Sequence, residues 1–358
     1  MGANNAHGGM AVQLENSSYQ TGAEVVGMIH ISLTASISPS TLYLCFVGKE
    51  KTKWVEARTV SHTGPDGKIQ HTTEYDHHSG KHYVCKYSFP IMKWDGGINQ
   101  GNYSMPFSFR LPDNVPGSFN YEKDSNLASI SYKIRMKLVG TSNELVKGKT
   151  LIHIRQNFDE RFNQEISQNI NAKLKTWCCV DQGTCKINVS YPQNSYNPSQ
   201  IVQCHAQIDN SQSKLVVAGV VCNLFYSIRL KDHNGKTHFV KESILKNTVP
   251  IKIASGTSLL NTSAVEIKQD LPSIAHLLQS RYTTKGHLIE CIYTNEVKAD
   301  MDGVCMCCGD TPSINSYVNI VPNFVMPQMY MPPAPANWNP QMLQPIALQY
   351  DPRYEVQR

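Results

Sequence analysis

Apolar and polar residues alternate with a period of two along most of the chain, whereas the spacing of an amphipathic helix is almost absent. Strict alternation places successive side chains on opposite faces of an extended strand, so it is typical of strands with one buried face. The pattern therefore predicts an all-β protein. The clearest alternating runs are Leu42–Phe46, Ile130–Leu138 and Val216–Leu230.

Turn sequences rich in Gly, Asp and Asn separate the alternating runs. Such sequences favour tight reversals of the chain, so we expect antiparallel sheets. The longest apolar stretch, Leu215–Tyr226, is interrupted by Asn223 and is shorter than the ~20 residues of a membrane-spanning helix. The turn sequences are Gly64-Pro65-Asp66-Gly67, Trp94-Asp95-Gly96-Gly97, Asn234-Gly235 and Asp302-Gly303.

The same order of elements occurs twice along the chain. Each copy has a Tyr-led turn that feeds an alternating strand, followed later by a Leu-Pro pair ahead of a Tyr-bearing strand. Two β domains are the simplest interpretation, and 358 residues suit two domains of ~100–200 residues each. The first copy is Tyr19–Leu33 with Leu111-Pro112 and Ser129–Ile134; the second is Tyr196–Ile208 with Leu271-Pro272 and Leu288–Tyr293.

Changes in composition divide the chain into five predicted segments. The polar stretch before the second domain has apolar residues spaced at four from Phe158 to Leu174, which predicts the only helix. The last stretch is rich in Pro, which favours a disordered or polyproline tail. The segments are a flexible N-terminus (1–9), a first sandwich (10–156), a linker (157–179), a second sandwich (180–321) and the tail (322–358).

Charge and cysteine content exclude several protein classes. Charged residues make up 17%, below the usual ~25%, and the net charge of +5 is scattered, so nucleic acid is not an expected partner. The first nine residues show no basic stretch followed by an apolar core, so we expect no secretory signal. An odd count of 11 cysteines in a long chain favours reduced thiols and a cytosolic location.

The order of the motifs resembles the arrestin family, and the resemblance covers roughly residues 10 to 321. The first half is similar to an arrestin N-domain, and the second half is similar to an arrestin C-domain. The motifs in the first half are Tyr19-x-x-Gly22-x-Glu24, Leu42-x-Leu44-x-Phe46-x-Gly48-x-Glu50, Trp54, Met105-Pro106-Phe107, Leu111-Pro112, Pro116-x-Ser118-Phe119 and Ile130-x-Tyr132; those in the second are Cys185–Ser190, Asp209-Asn210-Ser211, Val216–Leu230 and Leu271-Pro272.

This resemblance implies two immunoglobulin-like β-sandwiches joined by a hinge, closest to the arrestin-domain-containing proteins called α-arrestins. Such proteins are non-enzymatic cytosolic adaptors that link membrane cargo to endocytic, endosomal-sorting or ubiquitination machinery, at the plasma membrane or endosomes. The alternatives are a retromer-like coat subunit, a β-sandwich scaffold unrelated to trafficking, and redox-regulated signalling. The sequence contains no nucleophile elbow, no phosphate-binding Gly-Lys loop and no His-Glu-x-x-His motif, so we expect no enzyme.

Ligase recruitment by α-arrestins usually depends on Pro-Pro-x-Tyr in the tail, which WW domains bind. This chain departs from that pattern. Pro332 and Pro333 have no tyrosine after them, and Pro352 with Tyr354 lacks the first proline. Two interpretations stay open: a weak WW-domain contact at these residues, or a tail that only solubilises the protein.

Three lysines alternate on one predicted strand face: Lys49, Lys51 and Lys53. Visual-type arrestins sense phosphate with N-domain lysines, so the resemblance implies a contact with phosphate groups or acidic lipids here. The alternative is an ordinary solvated strand face. The buried charged core of visual-type arrestins has no identifiable counterpart in this sequence.

Cysteines form two clusters in the second half, and the second one contains a Cys-x-x-Cys-Gly turn that suits a zinc knuckle. A structural zinc, palmitoylation and plain thiols all stay open, and no other cofactor is expected. A group of histidines from His71 to His82 is interpreted as a polar surface loop rather than a metal site. The clustered cysteines are Cys178, Cys179, Cys185, Cys305, Cys307 and Cys308.

Overall fold

The computed structural model describes residues 7–63, 69–141, 144–158, 163–301, 304, 309–322 and 338–344. Strands make up most of this part of the chain, and its one α-helix, α1 (Ala275–Leu278), has a single turn. No helix among the described residues has the length and apolarity needed to cross a bilayer. The predicted all-β architecture is confirmed.

The N-terminal domain is a sandwich of two sheets. Its four-stranded sheet has the order β1-β3-β6-β21, and its six-stranded sheet has the order β2-β9-β8-β4-β5 with β7 beside β8. Phe46 and Phe109 join the two sheets, with ring centroids 5.5 Å apart. The strands are β1 (Gly8–Leu14), β2 (Ser18–Gln20), β3 (Glu24–Leu33), β4 (Ser40–Thr63), β5 (Ile69–Trp94), β6 (Gly101–Arg110), β7 (Phe119–Lys123), β8 (Asn126–Val139), β9 (Glu144–Arg155) and β21 (Gln341–Met342).

The C-terminal domain repeats this plan. Its five-stranded sheet runs β10-β11-β13-β16 with β17 beside β13, and its six-stranded sheet runs β12-β20-β19-β14-β15 with β18 beside β19. Most pairings are antiparallel, but β2–β9, β12–β20 and β21–β6 are parallel. The strands are β10 (Ile166–Lys175), β11 (Asp181–Tyr191), β12 (Ser195–Tyr196), β13 (Ile201–Asp209), β14 (Val217–Lys231), β15 (Thr237–Val249), β16 (Ser258–Leu259), β17 (Val265–Asp270), β18 (Thr284–Lys285), β19 (Ile289–Met301) and β20 (Ser313–Ile320).

The structure differs from the sequence expectations in the predicted linker. The predicted helix is wrong, because Ile166–Lys175 forms strand β10 and pairs with β11. A spacing of four fits both periods, and here Ile166, Ile170 and Leu174 fall on the inward face of a strand. The opposite face is polar and exposed, with Ser167, Asn169, Asn171 and Lys173. The predicted division into segments otherwise stays a prediction.

Both ends of the chain also carry strand where none was expected. Strand β1 begins at Gly8, inside the segment predicted to be flexible. In the predicted tail, the stretch 338–344 lies against the N-terminal domain, and Gln341–Met342 pairs with Tyr103–Ser104 of β6. The neighbouring tail residues 323–337 and 345–358 lie outside the described part.

The two domains meet along one face of β4, and their buried apolar side chains form one continuous cluster. Glu50 is 1% exposed, and its carboxylate accepts hydrogen bonds from the backbone N–H groups of His287 (2.9 Å) and Leu288 (2.6 Å). Two residues on, the Thr52 hydroxyl donates to the carbonyl of Lys231 at 2.6 Å. A carboxylate removed from water requires such donors, so Glu50 holds this loop of the second domain.

Farther along the same face of β4, Trp54 is fully buried between two imidazoles. Its ring stacks on His78 at 4.9 Å and on His238 of the other domain at 5.6 Å. His78 lies 3.1 Å from an Asp232 oxygen, and Lys236 donates to Glu56 at 2.6 Å. The histidines interpreted as a surface loop therefore belong to strand β5, where His78 helps to join the domains.

Replacing Gly286 with Ala is expected to weaken the docking of the two domains, because a Cβ at this position overlaps the carboxylate of Glu50. We expect the free energy of unfolding in urea to fall by roughly 2 kcal/mol, a typical value for a strained buried contact. Gly96→Ala is the matched control, since a Cβ there meets nothing within 4 Å. Identical unfolding curves for the two variants would show that Glu50 does not hold this loop.

Candidate functional site

The outward face of β4 carries the three lysines that the sequence singled out. From Glu50 to Glu56 the inward side chains contact the second domain, so Lys49, Lys51 and Lys53 lie on the opposite face. Lys51 and Lys53 are exposed and Lys49 is half-buried. The structure thus places all three on one outward face, while their role stays a prediction.

Neighbouring strands add five further cations to this face. Lys81 on β5 is opposite Lys51. Lys86 on β5 and Lys133 on β8 lie on either side of Val47 of β4. Arg135 follows on β8, with Lys149 of β9 opposite it. We call the whole set the basic face; its members are Lys49, Lys51, Lys53, Lys81, Lys86, Lys133, Arg135 and Lys149.

Tyr83 lies at the centre of the lysines on β4 and β5. Its ring centroid is 5.0 Å from the Lys81 ammonium, 5.8 Å from that of Lys86 and 5.9 Å from that of Lys49. A hydrogen bond with Lys81 and the charge of that residue lower the pKa of the Tyr83 phenol. Cations over an aromatic ring are weakly attracted to it, so Tyr83 helps to hold three like charges together.

The central cations of the basic face repel one another. Burial, followed by the charges of neighbouring cations, lowers the pKa of Lys49 and that of Lys133. Within the described part of the chain, no member of the basic face forms an ion pair with a carboxylate. At the rim, Glu144 pairs with Lys137 at 2.9 Å and with Lys147 at 3.0 Å. An anionic partner would relieve the repulsion at the centre.

The cysteines occupy different environments. Cys185 on β11 is fully buried, and burial raises the pKa of its thiol to about 11. Cys179 is exposed. Among the described residues no group of three or more side chains is placed to hold a metal ion. The side chain of Cys178, together with Cys305, Cys307 and Cys308, lies outside the described residues, so the zinc and palmitoylation alternatives stay predictions.

The predicted WW-binding residues also lie outside the described part; they are Pro332, Pro333, Pro352 and Tyr354. The segment 338–344, which lies between the two pairs in the sequence, contacts the N-terminal domain. The indole N–H of Trp338 donates to the Ser104 hydroxyl at 3.1 Å, and the ring meets His30 edge-on at 5.8 Å. The backbone N–H of Leu343 donates to the Ser104 carbonyl at 2.8 Å. This segment therefore occupies the β6 edge of the N-terminal sheet.

Comparison with known proteins agrees with this architecture. Residues 10–166 match the family model described as the arrestin (or S-antigen) N-terminal domain, and residues 181–323 match that of the arrestin (or S-antigen) C-terminal domain. The two matches follow one another in the same order as the two sandwiches.

Curated relatives show the same likeness at low identity. The chain is 24% identical over 207 residues to arrestin domain-containing protein A of Dictyostelium discoideum, covering 57% of this chain and 35% of that protein. It is 21% identical over 310 residues to arrestin domain-containing protein 5 of Bos taurus, and the match covers 79% of this chain and 89% of that protein. For the Homo sapiens arrestin domain-containing protein 5 the identity is 21%, covering 56% of each chain. The chain thus spans about a third of the first relative.

Thiol labelling should distinguish the two described cysteines of the first cluster. In the folded protein we expect a maleimide reagent to modify Cys179 at least ~100-fold faster than Cys185, because reaction needs an exposed thiolate. Mass spectrometry of labelled peptides measures both rates, with urea-unfolded protein as the control in which the rates converge. Equal labelling of both in the folded protein would contradict the burial of Cys185.

Proposed function

The chain belongs to the arrestin family, and from that premise we propose that it is a non-enzymatic adaptor that links membrane cargo to endocytic, endosomal-sorting or ubiquitination machinery. In this proposal the N-terminal domain binds an acidic segment of the cargo through the basic face. The second domain and the tail serve the machinery that acts on the cargo.

The basic face is the observation that carries the proposal. Clustered cations on one face of a sheet favour an anionic partner, because each new ion pair replaces repulsion between lysines with attraction. Exposed ion pairs are worth only ~0.2–1 kcal/mol each, so a useful affinity requires several cations acting together. The basic face supplies eight, held by the register of β5, β4, β8 and β9.

The tail supports the second half of the proposal. We place the ligase contact at Pro352 and Tyr354, because WW domains bind a proline with a nearby aromatic ring. Segment 338–344 pairs with β6, so the ligase contact proposed a few residues further along the chain is tethered to the same domain that carries the basic face. An adaptor requires such proximity, since it raises the effective concentration of the ligase at the cargo.

Reversing three central charges should remove cargo binding. The variant K49E/K51E/K81E is expected to recover at least tenfold less membrane cargo from detergent-solubilised membranes, because several weak attractions become repulsions. Captured proteins are identified by mass spectrometry. The matched control is K186E/K246E/K252E, which reverses three exposed lysines of the second domain. An unchanged amount of cargo recovered with K49E/K51E/K81E would show that the basic face does not bind cargo.

Ligase recruitment is tested by P352A/Y354A in the full chain. We expect this variant to lose WW-domain ubiquitin ligases from the captured proteins while it keeps its cargo. P332A/P333A is the control, since no tyrosine follows that pair. Substitution tests the ligase contact more specifically than truncation at Pro322, because truncation also removes the strand Gln341–Met342 that pairs with β6. Equal ligase recovery by both variants would assign recruitment to another part of the chain.

A further inference from the structure

A groove of about 350 Å³ adjoins the basic face on the same side of the sheet. Its floor is formed by outward side chains of β8 and β9, and one wall combines residues of β7 and of the second domain. Resting on the adaptor function proposed above, we propose that the cargo segment is an extended acidic peptide with an aliphatic side chain that binds in this groove. The groove residues used in the argument are Asn120, Ser129, Ser131, Leu151, His153 and Ser280.

Leu151 is the observation that points to an aliphatic ligand. Its side chain is 76% exposed although it lies within strand β9. The outward residues Lys147, Lys149 and His153 on the same strand are basic or polar, so Leu151 interrupts a polar row. Burying apolar surface is favourable by ~25 cal/mol per Å². An aliphatic side chain of a partner would cover Leu151 and gain this free energy.

Two cations of the basic face lie beside the groove, next to residues that line it. Lys133 is directly opposite Leu151, and Lys49 is directly opposite Ser131. Residues opposite each other on neighbouring strands have Cβ atoms ~4.5–5.5 Å apart, so a ligand that covers Leu151 has both ammonium groups within reach. The ligand that matches this face therefore carries carboxylates beside its aliphatic residue.

The shape of the groove favours a peptide over a lipid bilayer. Its wall is built by Asn120 of β7 and Ser280 of the second domain, joined by a hydrogen bond from the Asn120 N–H to the Ser280 carbonyl at 2.9 Å. A single side chain fits a walled depression of this size, whereas the flat surface of a bilayer does not enter it. The hydroxyls of Ser129 and Ser131 are positioned to bond peptide backbone groups.

The test uses two synthetic ten-residue peptides in which Asp and Glu surround either a central Leu or a central Ser. Fluorescence anisotropy with the full chain should show about tenfold tighter binding of the Leu peptide. Leu151→Thr should abolish this preference and leave the affinity for the Ser peptide unchanged. Ile201→Thr is the control, since it removes a half-exposed aliphatic side chain from a strand of the other domain.

Three outcomes would overturn the inference. Equal affinity of the unaltered chain for both peptides removes the aliphatic site but leaves the basic face intact. A preference for Leu that persists in Leu151→Thr places the aliphatic contact elsewhere. Binding of phosphatidylserine vesicles without binding of either peptide identifies the face as a membrane contact. The cargo capture with K49E/K51E/K81E tests the adaptor function separately, because that variant leaves Leu151 unchanged.

Discussion

The buried carboxylate of Glu50 is the interaction on which the arrangement of the two domains depends. Removing a charge from water costs several kcal/mol unless hydrogen bonds replace the lost hydration. Here the replacement comes from the backbone of the other domain, at His287 and Leu288. Backbone donors have fixed positions, so the carboxylate is satisfied only when the loop lies in one place. The lack of space for a Cβ at Gly286 shows how closely this loop approaches.

The alternation of β4 connects this constraint to the candidate binding surface. Side chains that contact the second domain alternate with side chains that face solvent, so docking orients one face and leaves the other for partners. Lys49 and Lys51 flank Glu50 directly and are therefore held at the domain boundary. A ligand on the basic face thus binds to a strand whose opposite side joins the domains. The candidate binding surface and the contact between the domains are therefore opposite faces of one strand.

The sequence was sufficient for the fold but not for the site. Alternation revealed the strands, and repetition of the motifs revealed two domains, because both can be recognised without knowing which strands pair. Spacing at four misled the interpretation of Ile166–Lys175, since positions four apart share a face in a helix and in a strand alike. The basic face was only partly visible. Lys81, Lys133 and Lys149 join Lys49 through strand register, and register is a long-range property that no local pattern contains.

The wall of the groove shows how far the coupling between domains and ligand extends. Ser280 belongs to the second domain, and it meets Asn120 of the first through backbone hydrogen bonding. A ligand that contacts both floor and wall binds the docked arrangement more tightly than any separated one. By linkage, the ligand must then stabilise docking by the same free energy. The second domain thus completes a groove beside lysines that all belong to the first, and the proposed ligand would reinforce the contact that Glu50 maintains.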